Sequence, residues 1–426
     1  MKSEKQLPAI LSAEDGLIFT NIFKTFRIAI RPGNLIIALL AVAVICLAGW
    51  LMDFSDSVIV AAQPGGSNEL NVYINNPAKL SSYIEQNKDT DKRTGVFSTI
   101  WHFAETKFQK IVYSVFAFDL PSVVKNIAEY FKAALWAVKY HFIYTLIFSL
   151  FQLAVIAVAG GAICRMTALQ FAQGEKPPLS EGLRYSFKKF LSLLTAPIAP
   201  LTIIIFISLF ILLLGLLGNI PWVGELLIGI FLIPALLAGA LITILLIGTV
   251  ASLPVMYPAI AYDNSDCFDA ISRAFSYIYS RPWRMGFYTA VAAVYGSICY
   301  IFVRFFIFLI LASVHWALEL AIFVNLPGRN ENISKLTNIW PEPSFTNLFG
   351  NPPWLHHLST GFSESVAAFL IHLTLLACLG LLVAFIISFY FAANTIIYAL
   401  LRKKVDNTDF DQIQHLTASA SNQQSS

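Results

Sequence analysis

A run of apolar residues from 285 to 323 contains the side chains best suited to handle a polar solute or an anion. Arg304 stands inside the text Ile-Phe-Val-Arg-Phe-Phe-Ile, and His315 and Glu319 follow it. At 3.6 residues per turn, these three side chains fall on one side of a helix. Charge inside a bilayer is costly unless it is paired or hydrated. The spacing therefore predicts a polar path along these residues, with His372 in the last apolar run as a further member.

The same residues have a simpler interpretation, in which the helix extends beyond the bilayer. Arg304 then lays its aliphatic stem along the apolar surface and places its charge at the outer interface, while His315 and Glu319 lie in water. His372 alone is more often a packing residue. The sequence favours this second interpretation over the polar path.

No motif for covalent or metal chemistry accompanies these side chains. The sequence contains no GxxxxGK phosphate loop, no HExxH, no GxSxG and no CxxC. The pair His356-His357 lacks neighbouring acidic or cysteine ligands, and the five cysteines lack the close pairing of a zinc site. We therefore expect no enzymatic activity, no cofactor and no metal site.

The composition places the chain in a membrane. Of its 426 residues, 57% are hydrophobic and only 12% are charged, whereas a soluble domain carries about a quarter charged residues. Several apolar runs are long enough to cross the hydrocarbon layer. The predicted fold is an all-α polytopic membrane protein with about six transmembrane helices in three hairpins. Each hairpin is preceded by a basic amphipathic helix that lies in the membrane interface.

The predicted segments can be given in chain order. They are a cytoplasmic tail with an interfacial helix (1–33), span one (34–52), an extracytoplasmic region with amphipathic helices (53–140), span two (141–164), a cytoplasmic interfacial helix (165–192), span three (193–217), span four (225–262), a cytoplasmic interfacial helix (263–284), span five (285–323), an extracytoplasmic loop (324–365), span six (366–401) and a cytoplasmic disordered tail (402–426).

Two segments leave alternatives open. The fourth run is longer than a bilayer is thick, so it is either one protruding helix or two pieces broken at Pro234, and we favour the break. The region 53–140 begins with β-like fragments, SVIVAA and ELNVYI, before its amphipathic helices. Those helices either cap the bundle or float on the outer leaflet, and we favour the leaflet.

Basic residues predict the orientation of the spans. Lysines and arginines cluster near the span ends in 1–33, 165–192, 263–284 and 402–426. The positive-inside rule places such segments, and hence both termini, in the cytoplasm. The side chains expected to contact the lipid surface are Lys24, Arg27, Arg31, Arg184, Lys188, Arg273, Arg281 and Arg284.

The interfacial helices also suggest an internal repeat and a resemblance. Glu181-Gly182-Leu183 with Phe187 corresponds to Asp269-Ala270-Ile271 with Phe275, and Asp15-Gly16-Leu17 begins a fainter copy. This pattern resembles a loose group of uncharacterised bacterial multi-pass proteins. It is also similar to the membrane domain fused to some glycerophosphodiester phosphodiesterases. Because no phosphodiesterase domain is present, the resemblance implies only a helical bundle of a bacterial inner membrane, without an activity.

Three functions are consistent with these features. The favoured one is a non-enzymatic scaffold or assembly component that contacts anionic lipid, with a protein partner or a second copy of the chain. The alternative is a transporter or channel with a polar path near Arg304. A membrane enzyme acting on lipids is the least favoured, because no acid, base and nucleophile cluster together. The small net charge of +3, concentrated beside the spans, argues against a nucleic-acid partner.

Overall fold

A computed structural model describes residues 18–55, 57–59, 68–87, 93–321, 336, 339–345, 348 and 362–413. Helices account for most of these residues, and six helices are long and apolar enough to cross a membrane. The protein is therefore an all-α polytopic membrane protein, as the composition predicted. The predicted N-terminal tail before residue 18 and the end of the C-terminal tail lie outside the described residues.

In chain order, the described α-helices are α1 (Thr25–Ala29), α2 (Pro32–Met52), α3 (Glu69–Asn75), α4 (Leu80–Gln86), α5 (Val96–Phe116), α6 (Leu120–Tyr140), α7 (Phe142–Gln173), α8 (Leu179–Lys188), α9 (Phe190–Leu217), α10 (Val223–Asp263), α11 (Cys267–Ser280), α12 (Pro282–Ala321) and α13 (Phe362–Asp406). A 3-10 turn, Phe19–Lys24, leads directly into α1. The spans are α2, α7, α9, α10, α12 and α13.

The spans form three pairs, and a short amphipathic helix precedes each pair. Within each pair the two spans contact each other: α2 with α7, α9 with α10, and α12 with α13. The preceding interfacial helices are the Phe19–Lys24 turn with α1, then α8, then α11. All three lie at one end of the bundle, which we call the base. The predicted arrangement of three hairpins, each with its interfacial helix, is confirmed.

Small residues allow these interfacial helices to pack directly on the spans. A Cβ atom added to Gly182 of α8 would come within 2.9 Å of Met166 Cγ and 3.2 Å of the Ala162 carbonyl oxygen in α7. Ala270 occupies the corresponding position of α11 and is completely buried. The second position of the repeated pattern is therefore small because a span lies against it.

The second span of each pair ends at a residue in the left-handed conformation. These residues are Gly174 after α7, Asn264 after α10 and Asn407 after α13, with φ angles of 71°, 52° and 53°. Glycine adopts this conformation without strain, and asparagine tolerates it better than most residues. The chain thus turns sharply at the base three times, in the manner of an αL helix cap.

The base is compact, whereas the middle hairpin is not. All residues of α10 from 255 to 263 are buried, but none from 225 to 247 is buried. The same holds for α9, in which no residue from 201 to 217 is buried. We call residues 201–247, the outer parts of α9 and α10 with their connection, the arm. The bundle therefore packs at its base and exposes the arm.

The first and last spans meet near the base. Ser388 Oγ of α13 donates a hydrogen bond of 2.8 Å to the Ala29 carbonyl oxygen at the end of α1. The rings of Phe26 and Phe385 lie 6.0 Å apart in an edge-to-face arrangement. These contacts close the bundle by joining its first and third units.

The expected break at Pro234 is wrong, because α10 is one continuous helix of 41 residues. At 1.5 Å per residue it is about 60 Å long, about twice the thickness of the hydrocarbon layer. Proline removes only one helical hydrogen bond. In an apolar environment the backbone groups on both sides of Pro234 have no partners other than their own helix, so the helix continues through it.

The described residues between 57 and 140, namely 57–59, 68–87 and 93–140, form a folded cap at the end opposite the base. The strand Ser57–Ile59 pairs antiparallel with Arg93–Gly95, so the β-like prediction is confirmed for these first three residues of SVIVAA, and the other three lie outside the described residues. The fragment ELNVYI lies in the helix α3, and the β-like interpretation of it is wrong because its apolar side chains pack in the cap core. Phe97 of α5 and Trp136 of α6 are buried in that core. The favoured alternative, in which the two helices lie separately on the leaflet, is therefore wrong, because α5 and α6 pack together in a cap.

Candidate functional site

A buried ion pair network lies at the base around Asp263, the last residue of α10. The Asp263 side chain is 2% exposed and accepts a hydrogen bond from the Tyr398 hydroxyl of α13. Arg402 Nε of α13 lies 3.2 Å from one carboxylate oxygen, and Arg273 Nη1 of α11 lies 3.3 Å from the other. A buried charge persists only when it is paired and hydrogen-bonded. The carboxylate thus joins α10 to α11 and α13.

A second aspartate at the base is bonded in a reciprocal way. Asp406, the last residue of α13, accepts a hydrogen bond from the Tyr277 hydroxyl of α11. Burial, together with the hydrogen bond to this carboxylate, raises the pKa of Tyr277. The neutral phenol is therefore held as a donor at ordinary pH.

The two aspartates begin the same tetrapeptide. Residues 263–266 read Asp-Asn-Ser-Asp and residues 406–409 read Asp-Asn-Thr-Asp. In both copies the asparagine is left-handed and the aspartate accepts a tyrosine hydroxyl. This site was not predicted from the sequence, although the repeated tetrapeptide after two long apolar runs was a signal for it.

The last carbonyl groups of α10 are also capped by donors from outside this helix. Arg165 Nη1 of α7 donates to the Ala261 carbonyl oxygen at 2.8 Å, and the Tyr185 hydroxyl of α8 donates to that of Ile260 at 2.7 Å. Lys189 Nζ reaches the Asn264 carbonyl oxygen at 2.8 Å. The last carbonyl groups of a helix lack internal partners and attract cations. Three neighbouring donors therefore fix the end of α10 in place.

The predicted end of span two at residue 164 is wrong, because α7 continues to Gln173. Arg165 was expected to mark the return to water, but only 3% of it is exposed. Its guanidinium group packs on the Tyr185 ring, with 4.8 Å between the guanidinium carbon and the ring centroid, in addition to its hydrogen bond. Since these contacts replace water around the charge, the helix has no need to end there.

The predicted disordered tail from residue 402 is also wrong over its first part. Residues 402–406 belong to α13, and residues 407–413, which we call the strap, are docked on the base. Arg402 Nη1 donates to the Gln412 carbonyl oxygen at 2.8 Å, and the Tyr262 hydroxyl donates to that of Phe410. The Phe410 ring lies 5.3 Å from that of Phe171. Aromatic packing and backbone hydrogen bonds thus hold the strap.

The predicted lipid contacts fall into two groups at the base. Arg31 and Arg273 are half-buried and make internal contacts: Arg31 Nη2 donates to the Pro177 carbonyl oxygen at 2.6 Å, and Arg273 pairs with Asp263 and Asp269. Arg284 is also half-buried. The exposed members are Lys24, Arg27, Arg184, Lys188 and Arg281.

Two of the four predicted polar-path residues contact one short segment that follows α12 in the chain. Arg304 Nε donates to the Phe345 carbonyl oxygen at 3.1 Å, and His315 Nε2 lies 3.1 Å from the Trp340 carbonyl oxygen. Glu319 is mostly exposed, with one oxygen 3.9 Å from His315 Nδ1. His372 is half-buried on α13. The structure thus brings Arg304 and His315 together against residues 340–345.

The fold and these sites define a six-span helical membrane protein with a polar network at its base. No known protein family, curated protein or solved structure matches the chain. The resemblance drawn from the interfacial helices therefore stays a prediction. Function has to be argued from the geometry of this chain.

Proposed function

We propose that the protein is a non-enzymatic scaffold of the bacterial inner membrane, which binds anionic headgroups at its base. The observation that carries this proposal is the sorting of the basic side chains. Arg165, Arg273 and Arg402 point inward and close the base, while five cations on the interfacial helices stay exposed. The base therefore has an internally satisfied core and a basic outer surface.

The orientation follows from the same charges. Segments rich in lysine and arginine remain in the cytoplasm, where the leaflet is anionic. The base and both termini are then cytoplasmic, and the cap lies outside. The internal repeat belongs to this proposal, and equivalent contacts support it. Tyr185 and Arg273 occupy the same position of the repeated pattern, and both contact the end of α10.

Electrostatics sets the expected strength of the contact. A lysine or arginine near an anionic surface contributes about 1 kcal/mol of binding free energy. Five exposed cations on three separate helices can therefore hold several acidic lipids around the base. The attraction should weaken with added salt, because exposed charges are screened beyond roughly 8 Å at physiological ionic strength.

The test is lipid retention by purified protein. The triple variant Lys24→Gln, Arg27→Gln, Lys188→Gln removes three exposed charges from the base. The control Lys79→Gln, Arg93→Gln, Lys110→Gln removes the same charges from exposed positions of the cap. After extraction from membranes of phosphatidylethanolamine and phosphatidylglycerol, native mass spectrometry counts the bound phosphatidylglycerol. The base variant should lose more phosphatidylglycerol than the control; equal losses would reject the proposal.

A transporter with a polar path along α12 is the second candidate, because Arg304 and His315 are buried. Their hydrogen bonds to the backbone of residues 340–345 support anchoring of that segment instead. Arg304→Ala separates the two functions. A path predicts loss of solute flux in vesicles with unchanged protease resistance. Anchoring predicts faster cleavage near residues 340–345, with Ser313→Ala, an exposed position of α12, as the control.

A further inference from the structure

Helix α6 of the cap exposes an uninterrupted apolar face. The side chains recur every three or four residues along the helix, and each is between 43% and 65% exposed. Spacing of this kind places them along one side of a helix. They are Val124, Ile127, Phe131, Leu135 and Val138. A contiguous exposed apolar face of this length indicates a contact surface.

The opposite side of α6 is already fixed to the cap. Trp136 is completely buried in the cap core. Glu129 forms an ion pair with Lys107 of α5, and the Tyr130 hydroxyl donates to the Ala104 carbonyl oxygen. The apolar face therefore points away from the protein because the other side of the helix is packed, and rotation of α6 cannot bury it.

Three lysines follow one edge of this face. Lys125, Lys132 and Lys139 are spaced seven residues apart, and all three are exposed. At 100° per residue they lie within about 40° of one another. An apolar face bordered by a row of lysines is the pattern of a helix that lies in a membrane interface with its cations at the headgroups.

The apolar face is continuous with a membrane span. Only His141 separates the end of α6 from the start of α7. The first residues of α7 are themselves exposed and apolar: Phe142, Ile143 and Leu146 are 58%, 72% and 57% exposed. Because α7 enters the bilayer at this point, lipid is adjacent to the end of α6 that leads into α7. Lipid is therefore the occupant that the position and the charges favour.

We propose that α6 lies in the leaflet opposite the base, with its apolar face among the acyl chains and its lysine row on anionic phospholipid headgroups. This contact is separate from the lipid binding proposed for the base, since it involves the other leaflet and other residues. A second copy of the chain is the competing occupant. The test therefore has to report what touches the face.

Photo-crosslinking identifies the occupant directly. The full chain is reconstituted in vesicles of phosphatidylethanolamine and phosphatidylglycerol, with p-benzoylphenylalanine in place of Phe131. The matched control carries the same amino acid in place of Thr106, an exposed position of α5. We expect lipid adducts at position 131 in several-fold excess over position 106. Equal yields at the two positions, or crosslinked pairs of chains at 131, would overturn the proposal.

The lysine row is tested in the same vesicles. Lys125→Gln, Lys132→Gln and Lys139→Gln together should lower the share of phosphatidylglycerol among the adducts at 131, because each lysine contributes about fivefold to anionic lipid binding. The cap control Lys79→Gln, Arg93→Gln, Lys110→Gln should leave that share unchanged. A share that does not respond to the lysine row would reject recognition of anionic lipid. Variants of the base leave this result unaffected, so the two proposals can fail separately.

Discussion

The two halves of α10 belong to one continuous helix but differ in their burial and in the types of residue they contain. From 226 to 247 most side chains are apolar and none is buried, whereas from 248 to 263 most are buried. The packed half contains Gly248, Ser252 and Asp263. Helices in lipid gain nothing from apolar surface alone, since lipid tails are equally apolar. The helix therefore packs where its residues are small or polar, because these residues permit close approach and hydrogen bonds. It does not pack where its sequence is most hydrophobic.

The glycines of α10 show the same difference between its packed and exposed halves. A Cβ atom added to Gly248 would come within 2.5 Å of the Phe275 ring, whereas one added to Gly229 or Gly239 would meet nothing within 4 Å. Glycine in a span thus permits a contact without specifying one. A polar partner such as Asp263 is needed to decide where the contact forms.

The largest effect is expected from Asp263→Asn. The substitution leaves Arg402 and Arg273 beside a neutral amide, and breaking a buried ion pair costs about 3–5 kcal/mol. Denaturant unfolding of the detergent-solubilised protein measures the loss. Asp266→Asn is the control, because that side chain is 86% exposed. A variant at 263 as stable as that at 266 would show that the network does not hold the base.

A buried and an exposed leucine of α9 provide the next test of the difference in packing between the base and the arm. Leu193 is completely buried, and Leu212 is 57% exposed in the arm. Leu193→Ala should lower the free energy of unfolding by about 2–4 kcal/mol, because it leaves a cavity. Leu212→Ala should change it little, since lipid replaces the lost contact. Equal losses would mean that the arm packs as tightly as the base.

Substitution by alanine should change the free energy of unfolding in opposite directions at two glycines. At Gly161 an added Cβ atom would lie 2.4 Å from Leu193 Cδ1 and 2.8 Å from Ser186 Oγ, and at Gly215 it would meet nothing within 4 Å. Gly161→Ala should destabilise the protein by about 1–3 kcal/mol through overpacking. Gly215→Ala should stabilise it by about 0.5–1 kcal/mol, since alanine is the better helix former. The same unfolding assay compares them, and effects of equal sign would contradict the contrast.

Alkaline pH should produce a gradual loss of stability, and it should act at the base. Burial raises the pKa of Tyr185 and of Tyr277 above the ordinary value of 10.0. The folded state therefore favours the neutral phenols. Their contribution is complete below pH 10.0 and is lost as pH rises above that value. The expected loss is on the order of 1 kcal/mol per pH unit for each phenol.

The control for the pH effect is Tyr277→Phe, which removes one titrating phenol. Its unfolding free energy should fall less steeply with pH above 10.0 than that of the unmodified protein. Identical slopes would mean that Tyr277 ionises as easily in the folded protein as in the unfolded chain.

The spans and interfacial helices could be predicted from the sequence because they depend on local patterns. A run of about 20 apolar residues must be helical in lipid, and a basic amphipathic stretch before it lies at the interface. The end of α7 and the continuity of α10 could not be predicted in this way. Both depend on partners elsewhere: Arg165 is satisfied by α10 and Tyr185, and Pro234 is surrounded by apolar residues of its own helix.

The polar network at the base could not be predicted from local patterns either, because it joins residues that are far apart in the sequence. Asp263 and Tyr398 are 135 residues apart, and neither residue type is unusual near a span end. Arg304, by contrast, was conspicuous because it interrupts an apolar run. The structure places it against a backbone carbonyl group. Arg304, the most conspicuous charge in the sequence, was thus a weaker indicator of the polar site than the repeated tetrapeptides that begin with Asp263 and Asp406.

The hydrogen bond from Ser388 to Ala29 has a consequence for biosynthesis. It joins residues 359 apart in the chain, and a ribosome adding about 5–20 residues per second needs roughly 20 to 70 seconds to travel that distance. During this interval the first span waits in the membrane without its final neighbour. A nascent chain that stops before the last span cannot close the base. Completion of the sixth span therefore sets the earliest moment at which the base can close.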